Sequence, residues 1–381
     1  MKRSTSSSTQ DIARLAEDVA RLSQLLTRER DTLPAAYLAD EGLRNAYLVY
    51  YLPANRSKIM LPLQELARHT SAVFAQQKLR VLDIGSGPGT ALLGVLEFFS
   101  SRTPAPQLEC FAVDQVAENL KAAELLFADA RSVTSLDAVL KTTRSDIEAM
   151  ARHLSGAYDL IILSNVLNEI AHNDEAKLEK RVALLKELLL RHLAEHGSCI
   201  IIEPSLRETS RDLLQVRDSL ASNGLHVYSP CLFSTACPAL VNPKDWCHED
   251  RPWDPPEVVK EIDKKTGLRK DSLKFSYLVL RKDGLSLSDI CGRTAFRVVS
   301  EPLVSKGKIE YYVCGQGVRK LITRQDKDTS IENELYSGLL RGDVLLFEGL
   351  LDEGKRLKVV KGTTVAYASN AQASERPHVS T

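Results

Sequence analysis

Residues 80–97, RVLDIGSGPGTALLGVLE, narrow the possible folds of this chain more than any other stretch. An apolar strand (Val81, Leu82, Ile84) runs straight into a glycine-rich turn and then a helix-forming run from Thr90. Gly85, Gly87 and Gly89 let the backbone take positive φ and approach a ligand closely, with Ser86 between them. The free N–H groups of the helix start face the same spot. Asp83, late on the strand, adds a carboxylate there. A dinucleotide fingerprint reads G-x-G-x-x-G, whereas this spacing is D-x-G-x-G-x-G. The competing reading is a tight strand-to-helix turn that holds nothing. Three alternating glycines behind an acidic strand end weigh against it.

The spacing resembles motif I of class I S-adenosylmethionine-dependent methyltransferases, and the sequence around it alternates strand and helix as a parallel doubly wound sheet requires. The second strand, LECFAVD, ends at Asp114, where a carboxylate can accept from both ribose hydroxyls, unless it is simply a solvated strand end. The fourth, YDLIILSN, is apolar enough to need cover on both faces and ends in Ser164 and Asn165. The fifth is SCIIIEP and the sixth LHVYSP; FSYLVLRK resumes some 40 residues later. In the methyltransferase arrangement this seventh strand is antiparallel. The sequence therefore predicts a methyltransferase-like domain over 78–285 with a seven-stranded sheet and a cysteine-rich insertion over 229–272 bordering the ligand cleft.

Before this domain, residues 1–77 read as helical. One amphipathic helix is predicted over 11–28, and a second helical region over 40–77 is broken at Pro53 and carries Tyr47, Tyr50 and Tyr51, read as core or as base-stacking residues. After it, short strands with glycine turns over 290–365 suggest a small OB-like β-barrel, in which Arg319, Lys320, Arg324 and Lys327 form either a solvated face or an RNA contact. Residues 366–381 are polar and read as a disordered tail.

At 381 residues the chain is expected to form two or three units. With 50 basic and 50 acidic residues, its net charge favours no particular partner. No run approaches a membrane span and no apolar signal core follows the start, so a soluble, reducing compartment is expected, cytoplasmic or, alternatively, the mitochondrial matrix. The opening MKRSTSSSTQ reads as a frayed terminus because acids arrive quickly after it. In such a compartment clustered cysteines point to metal before disulfides. Cys231, Cys237 and Cys247 fall close together, and Cys314 lies in the later YYVCGQG. Four thiolates suit zinc or an iron–sulfur cluster, although the spacings C-x5-C and C-x9-C are long for zinc-ribbon knuckles. Buried free thiols are the plain alternative. Pro230-Cys231 also matches the nucleophile dipeptide of RNA 5-methylcytosine methyltransferases, but theirs follows the fourth strand, which here ends in Ser164-Asn165. Asn-Pro-Pro-aromatic, which holds an exocyclic amine at that place, is missing too. No catalytic residue is assigned.

YLPAN before the core, LDIGSGPGTALL, DLIILSNVLNEI, and CP followed by WCH and YVCG together resemble the methyltransferase-like proteins of the mitochondrial small ribosomal subunit and their bacterial relatives. The resemblance runs from about Tyr47 to Lys320. It implies a class I methyltransferase fold that binds S-adenosylmethionine through Asp83, Gly85, Ser86, Gly87, Gly89, Asp114 and Asn165. It further implies a [4Fe–4S] cluster on Cys231, Cys237, Cys247 and Cys314, with His248 as substitute for Cys247 and zinc as the alternative metal. The implied partners are the small ribosomal subunit and its rRNA, met by a monomer with no membrane contact. The competing functions are an active RNA or protein methyltransferase and a small-molecule methyltransferase with a zinc-stabilised lid.

Overall fold

Strand β1 (Lys78–Ile84) is the hinge of the topology. In the computed structural model, which describes residues 9–34, 36–68, 73–147, 149–150 and 154–368, it pairs in parallel with β2 (Gln107–Asp114) on one side. Beyond β2 lies β3 (Ala138–Arg144), and on the other side of β1 lies β4 (Tyr158–Ser164), all parallel. The chain thus winds outward from β1 to β3 and then reverses to β4. In open parallel sheets such a reversal leaves a crevice at the carboxyl ends of the central strands. The helix Thr90–Ser100 after β1 is apolar on nearly every side and correspondingly buried.

By internal contacts the chain divides into two units. The first comprises Met1–Leu63, Gln76–Ala194 and Arg251–Leu273. It holds the four parallel strands and a helical cluster in which Ala16, Val19 and Leu22 of the first helix, Thr9–Thr27, pack with Tyr50 and with Val259 and Ile262 of helix Glu257–Thr266. That last helix lies in the predicted insertion, whose second half therefore joins the N-terminal helices. Sequence could not anticipate this, because an amphipathic stripe does not name its partner. Glu41–Ala46 passes through a π-turn, Tyr47–Tyr51, into Leu52–Lys58. Pro53 lacks an N–H and its ring crowds the carbonyl four residues back, so the helix widens there instead of breaking as predicted. Tyr50 is core as read, while Tyr47 faces the crevice.

The second unit comprises Gln64–Ala75, Glu195–Asp250 and Lys274–Thr381. Its strands β5 (Leu193–Pro204) and β6 (His226–Ser229) both pair antiparallel with β8 (Ser272–Arg281), the direction expected of the seventh strand; the short β7 (Glu249–Pro252) follows the cysteines. Arg297 is buried with its charge met by Glu65 at 2.6 Å, and the Tyr277 hydroxyl donates to the same carboxylate at 2.7 Å.

A further sheet follows, built from β9 (Phe296–Val298), β10 (Leu303–Ser305), β11 (Lys308–Gly315), β12 (Val318–Gln325), β13 (Val344–Glu348), β14 (Leu351–Asp352), β15 (Arg356–Val359) and β16 (Thr364–Tyr367). Its order is β14-β15-β12-β11-β9-β13-β16, with β10 beside β11. It covers a core centred on Tyr311 and Tyr336, which meet edge to face at 5.2 Å. Ala366 and Tyr367, assigned to the disordered tail, instead pair with Leu346 and Leu345 of β13. Their polar neighbours masked a strand that only cross-strand pairing defines. The rest of that predicted tail from Ser369, and the first eight residues of the opening read as frayed, lie outside the described residues. Among the described residues no helix is long and apolar enough to cross a membrane.

Helix Thr90–Ser100 approaches helix Leu52–Lys58 at Gly94, where an added Cβ would lie 2.6 Å from the Arg56 carbonyl oxygen and 2.3 Å from Ile59 Cγ2. Gly94→Ala gains about 1 kcal/mol of helix propensity, but a backbone carbonyl yields little, and overpacking costs about 1 to 3 kcal/mol. The expected outcome is a net loss, read as a lower urea midpoint; an unchanged or raised midpoint would contradict this contact.

Candidate functional site

The crevice between β1 and β4 opens into a cavity of ≈ 670 Å³ within the first unit. Of the residues expected to bind the cofactor, Asp83, Gly85, Ser86, Gly87, Asp114 and Asn165 line it. Gly89 does not. It starts the helix at φ +77, and its added Cβ would stand 3.1 Å from Ala123 Cβ, so it serves the helix packing. Gly85 at φ +62 lies so near Val166 that a Cβ would clash at 2.4 Å. A Cβ on Gly87 would meet open space, which leaves the cavity floor bare at that point.

Asp114 is occupied from within. It accepts the Gly87 N–H at 2.8 Å, the Val116 N–H at 2.9 Å and the Asn119 side-chain amide at 3.2 Å. A carboxylate has about four acceptor positions, so about one remains for a ligand. Asp83 is the opposite case. It is 1% exposed, and neither oxygen has a well-formed hydrogen bond. Burial above all, then the nearby Asp114 charge, holds its pKa well above the ordinary carboxyl value, against a weak opposing pull from the Leu92 N–H. Two more buried oxygens lining the cavity lack partners, Asn119 Oδ1 and Asn168 Oδ1. The Asn119 amide is oriented by its bond to Asp114, so the lone atom is its oxygen. Every unpartnered buried side-chain polar atom lining this cavity is thus an acceptor, among the described residues. The complementary ligand is rich in N–H donors or positive charge.

The loop after β4 completes the wall. Asn165 and Ala171 both take left-handed backbone, at φ 60 and φ 52. Arg181, 1% exposed on helix Lys177–His192, holds the loop by donating to the Asn168 carbonyl at 2.8 Å and the Ile170 carbonyl at 2.9 Å. Tyr37 and Tyr47 also line the cavity, the latter with its hydroxyl 3.3 Å from Thr90 Oγ1. Sequence reading missed Tyr37, Asn119 and Asn168. Asn168 stood in the quoted SNVLNEI, and Asn119 sits one helical turn past Asp114; nothing signalled Tyr37.

Within the second unit, Cys231, Cys237, Cys247 and Cys314 line one small cavity of ≈ 40 Å³ together with Arg217, His248 and Arg319. The hairpin of β11 and β12 brings Cys314 there. Gln316 and Gly317 both take positive φ, a two-residue turn matched to strand twist, and this sets Cys314 opposite Arg319. Burial and then the neighbouring thiols raise the pKa of Cys247 to about 12, and burial and then Cys231 raise that of Cys237 to about 11. Burial thus disfavours the thiolate form at Cys237 and Cys247. Among the described residues no three Cys, His, Asp or Glu side chains are placed as they stand to hold a metal ion. Unpartnered nitrogens line this cavity: Arg217 Nε, Arg319 Nε and His248 Nδ1. Cys110, Cys199 and Cys291 are buried and take no part.

The basic group predicted around Arg319 does not form a free patch. Arg319 packs over the Tyr312 ring, and Lys320 is bound to Asp352 at 2.6 Å.

A parallel sheet that reverses beside a glycine turn, with an acid ending its second strand and an antiparallel strand farther along the chain, defines a Rossmann-like methyltransferase fold. The chain belongs to the family described as mitochondrial small ribosomal subunit Rsm22, whose sequence profile matches residues 43–337. Among solved structures, it is similar to a putative class I S-adenosylmethionine-dependent methyltransferase from Listeria monocytogenes, with 13% identity, 70% of this chain and 78% of that one covered, and a TM-score of 0.37. It is also similar to a putative rRNA-methylase from Clostridium thermocellum, with 8% identity, 58% and 94% covered, and a TM-score of 0.32. Among curated protein sequences none matches significantly.

Asp83 yields a test that needs no ligand. With its folded pKa raised, the folded state keeps its proton at higher pH than the unfolded chain does, so wild-type stability from this group is full at low pH and is lost as pH rises through the raised pKa. Asp83→Asn removes that loss. Its unfolding free energy should exceed wild type by about 1 kcal/mol or more at pH 8 and by less at pH 5, measured by urea denaturation. A variant less stable than wild type at pH 8 would contradict the unpartnered carboxylate.

Proposed function

We propose that this protein binds S-adenosylmethionine in the cavity of the first unit and carries a [4Fe–4S] cluster on Cys231, Cys237, Cys247 and Cys314. As a monomer it acts on the small ribosomal subunit and its rRNA during assembly or translation. The family description favours the mitochondrial matrix over the cytoplasm as its place of action.

The observation that carries the cofactor reading is the set of unpartnered acceptors, Asp83, Asn119 and Asn168, around a bare Gly87. The cofactor supplies an electrophilic methyl group on a sulfonium, together with an ammonium and an exocyclic amine. Asp83 matches the positive charge, the two amide oxygens accept N–H groups, and the remaining acceptor position of Asp114 suits a ribose hydroxyl. Arg181 keeps the Asn165–Ala171 loop in place against the far side. No residue in the cavity reproduces a known base-methylating set, so the reading is a cofactor-binding factor and not a defined transferase.

The cluster reading rests on the donor set: four thiols lining one cavity whose unpartnered side-chain atoms are nitrogens. A thiolate-bound cluster is anionic and its sulfurs accept N–H groups. The 3₁₀ turn Pro238–Leu240 and the Arg211 guanidinium, which donates to the Ala239, Asn242 and Asp245 carbonyls, would hold the ligand loop around it.

Titration calorimetry with S-adenosylmethionine tests the first part. At a pH below the raised Asp83 pKa, binding of the cation should release a proton, seen as heat that varies with buffer ionisation enthalpy. Asp83→Asn should bind at least about tenfold more weakly, about 1.4 kcal/mol. No heat from the native protein at about 1 mM ligand would sink the cofactor reading.

For the partner, crosslinking in cells followed by sequencing should recover small-subunit rRNA well above large-subunit rRNA. Retention of purified small-subunit RNA should fall steeply with salt as counterions are released. Equal recovery of both rRNAs would count against the role.

A further inference from the structure

We propose that Arg319 and His248 donate N–H groups to the sulfur atoms of the cluster and so set its reduction potential; this rests on the cluster reading above.

The β11–β12 hairpin makes the placement of Arg319 obligatory. Its two-residue turn fixes the register, so Arg319 is the cross-strand partner of Cys314, on the same face of the sheet and about 5 Å away at Cβ. Gly315 allows that strand to run against the Ala295 carbonyl, where a Cβ would come within 2.4 Å. The Arg319 side chain is nonetheless underused. Its guanidinium lies over the Tyr312 ring, its nearest carboxylate, Asp245, stands 4.0 Å away, and its buried Nε–H has no acceptor. His248 is similar. Its ring stacks on Trp246 at 5.7 Å, and its buried Nδ1 has no partner.

The other guanidiniums of this region are anchored through their terminal nitrogens. Arg211 spends its N–H groups on the carbonyls of the ligand loop, and Arg217 donates to the Phe233 and Thr235 carbonyls at 2.5 Å. Arg319 makes no such commitment. A buried donor left without an acceptor costs about 1 to 3 kcal/mol, and sulfide or thiolate sulfur at the neighbouring cysteines would remove that cost. One electron added to the cluster makes it more negative. A cation and N–H donors therefore stabilise the reduced form more than the oxidised form and raise the potential.

The test uses the full chain, purified without oxygen, with iron counted per chain and the potential measured by an EPR-monitored dithionite titration. Three variants separate the contributions. Arg319→Lys keeps the charge and loses the Nε–H, Arg319→Met loses both, and His248→Phe keeps the ring on Trp246 and loses the nitrogen. Each should retain wild-type iron and show a more negative potential, with Arg319→Met shifted further than Arg319→Lys. Full iron with unchanged potentials overturns the inference and leaves the cluster standing. Loss of iron from all three overturns it as well, since it would mark these side chains as structural. A wild-type protein holding zinc or no metal overturns the cluster reading, and this inference with it.

Discussion

A carboxylate buried without a partner is the constraint on which the first unit turns. Asp83 ends the central strand β1 beside Asp114, and the glycine turn satisfies Asp114 through the Gly87 N–H while leaving Asp83 unmatched. Such an arrangement persists only where the surrounding core holds it in place. Here the core is the buried second half of β1, residues 81–84, with the apolar helix Thr90–Ser100 that follows it, so well-packed elements also present the least satisfied group.

The second unit carries a cavity of opposite character. Its unpartnered side-chain atoms are nitrogens, and burial with the neighbouring thiols raises the pKa of Cys237 and Cys247 beside them. One cavity leaves buried acceptors without partners and the other leaves buried nitrogens without them. Each is an incomplete polar network, and incomplete buried networks are costly unless a ligand completes them.

Membership of the Rsm22 family and the cavity chemistry fit a factor that retains a cofactor fold. The loop after β4 carries strained backbone at Asn165 and Ala171, held by a buried arginine, at the position where base-methylating enzymes place their chemistry. It lacks the prolines and the aromatic that would grip an exocyclic amine. The exposed apolar residues Leu303 and Val304 on β10, together with Tyr312, leave the second sheet with a surface less basic than the grouping Arg319 to Lys327 suggests, because Arg319 and Lys320 are engaged within the fold.

Local chemistry was legible in the sequence. The glycine turn, the strand-end acid, the parallel order around β1 and the four cysteines all follow from residue types at short spacing, since backbone freedom, strand periodicity and thiol chemistry are properties of a few neighbouring residues. Tertiary structure alone decided what required knowing who packs against whom. It gave Gly89 to helix packing and Tyr37 to the cavity, divided the predicted insertion so that helix Glu257–Thr266 joins the N-terminal helices, and turned Ala366 and Tyr367 into a strand. It also showed which polar atoms remain without partners. Hydrogen-bond satisfaction belongs to the whole packed arrangement, and no stretch of sequence contains it.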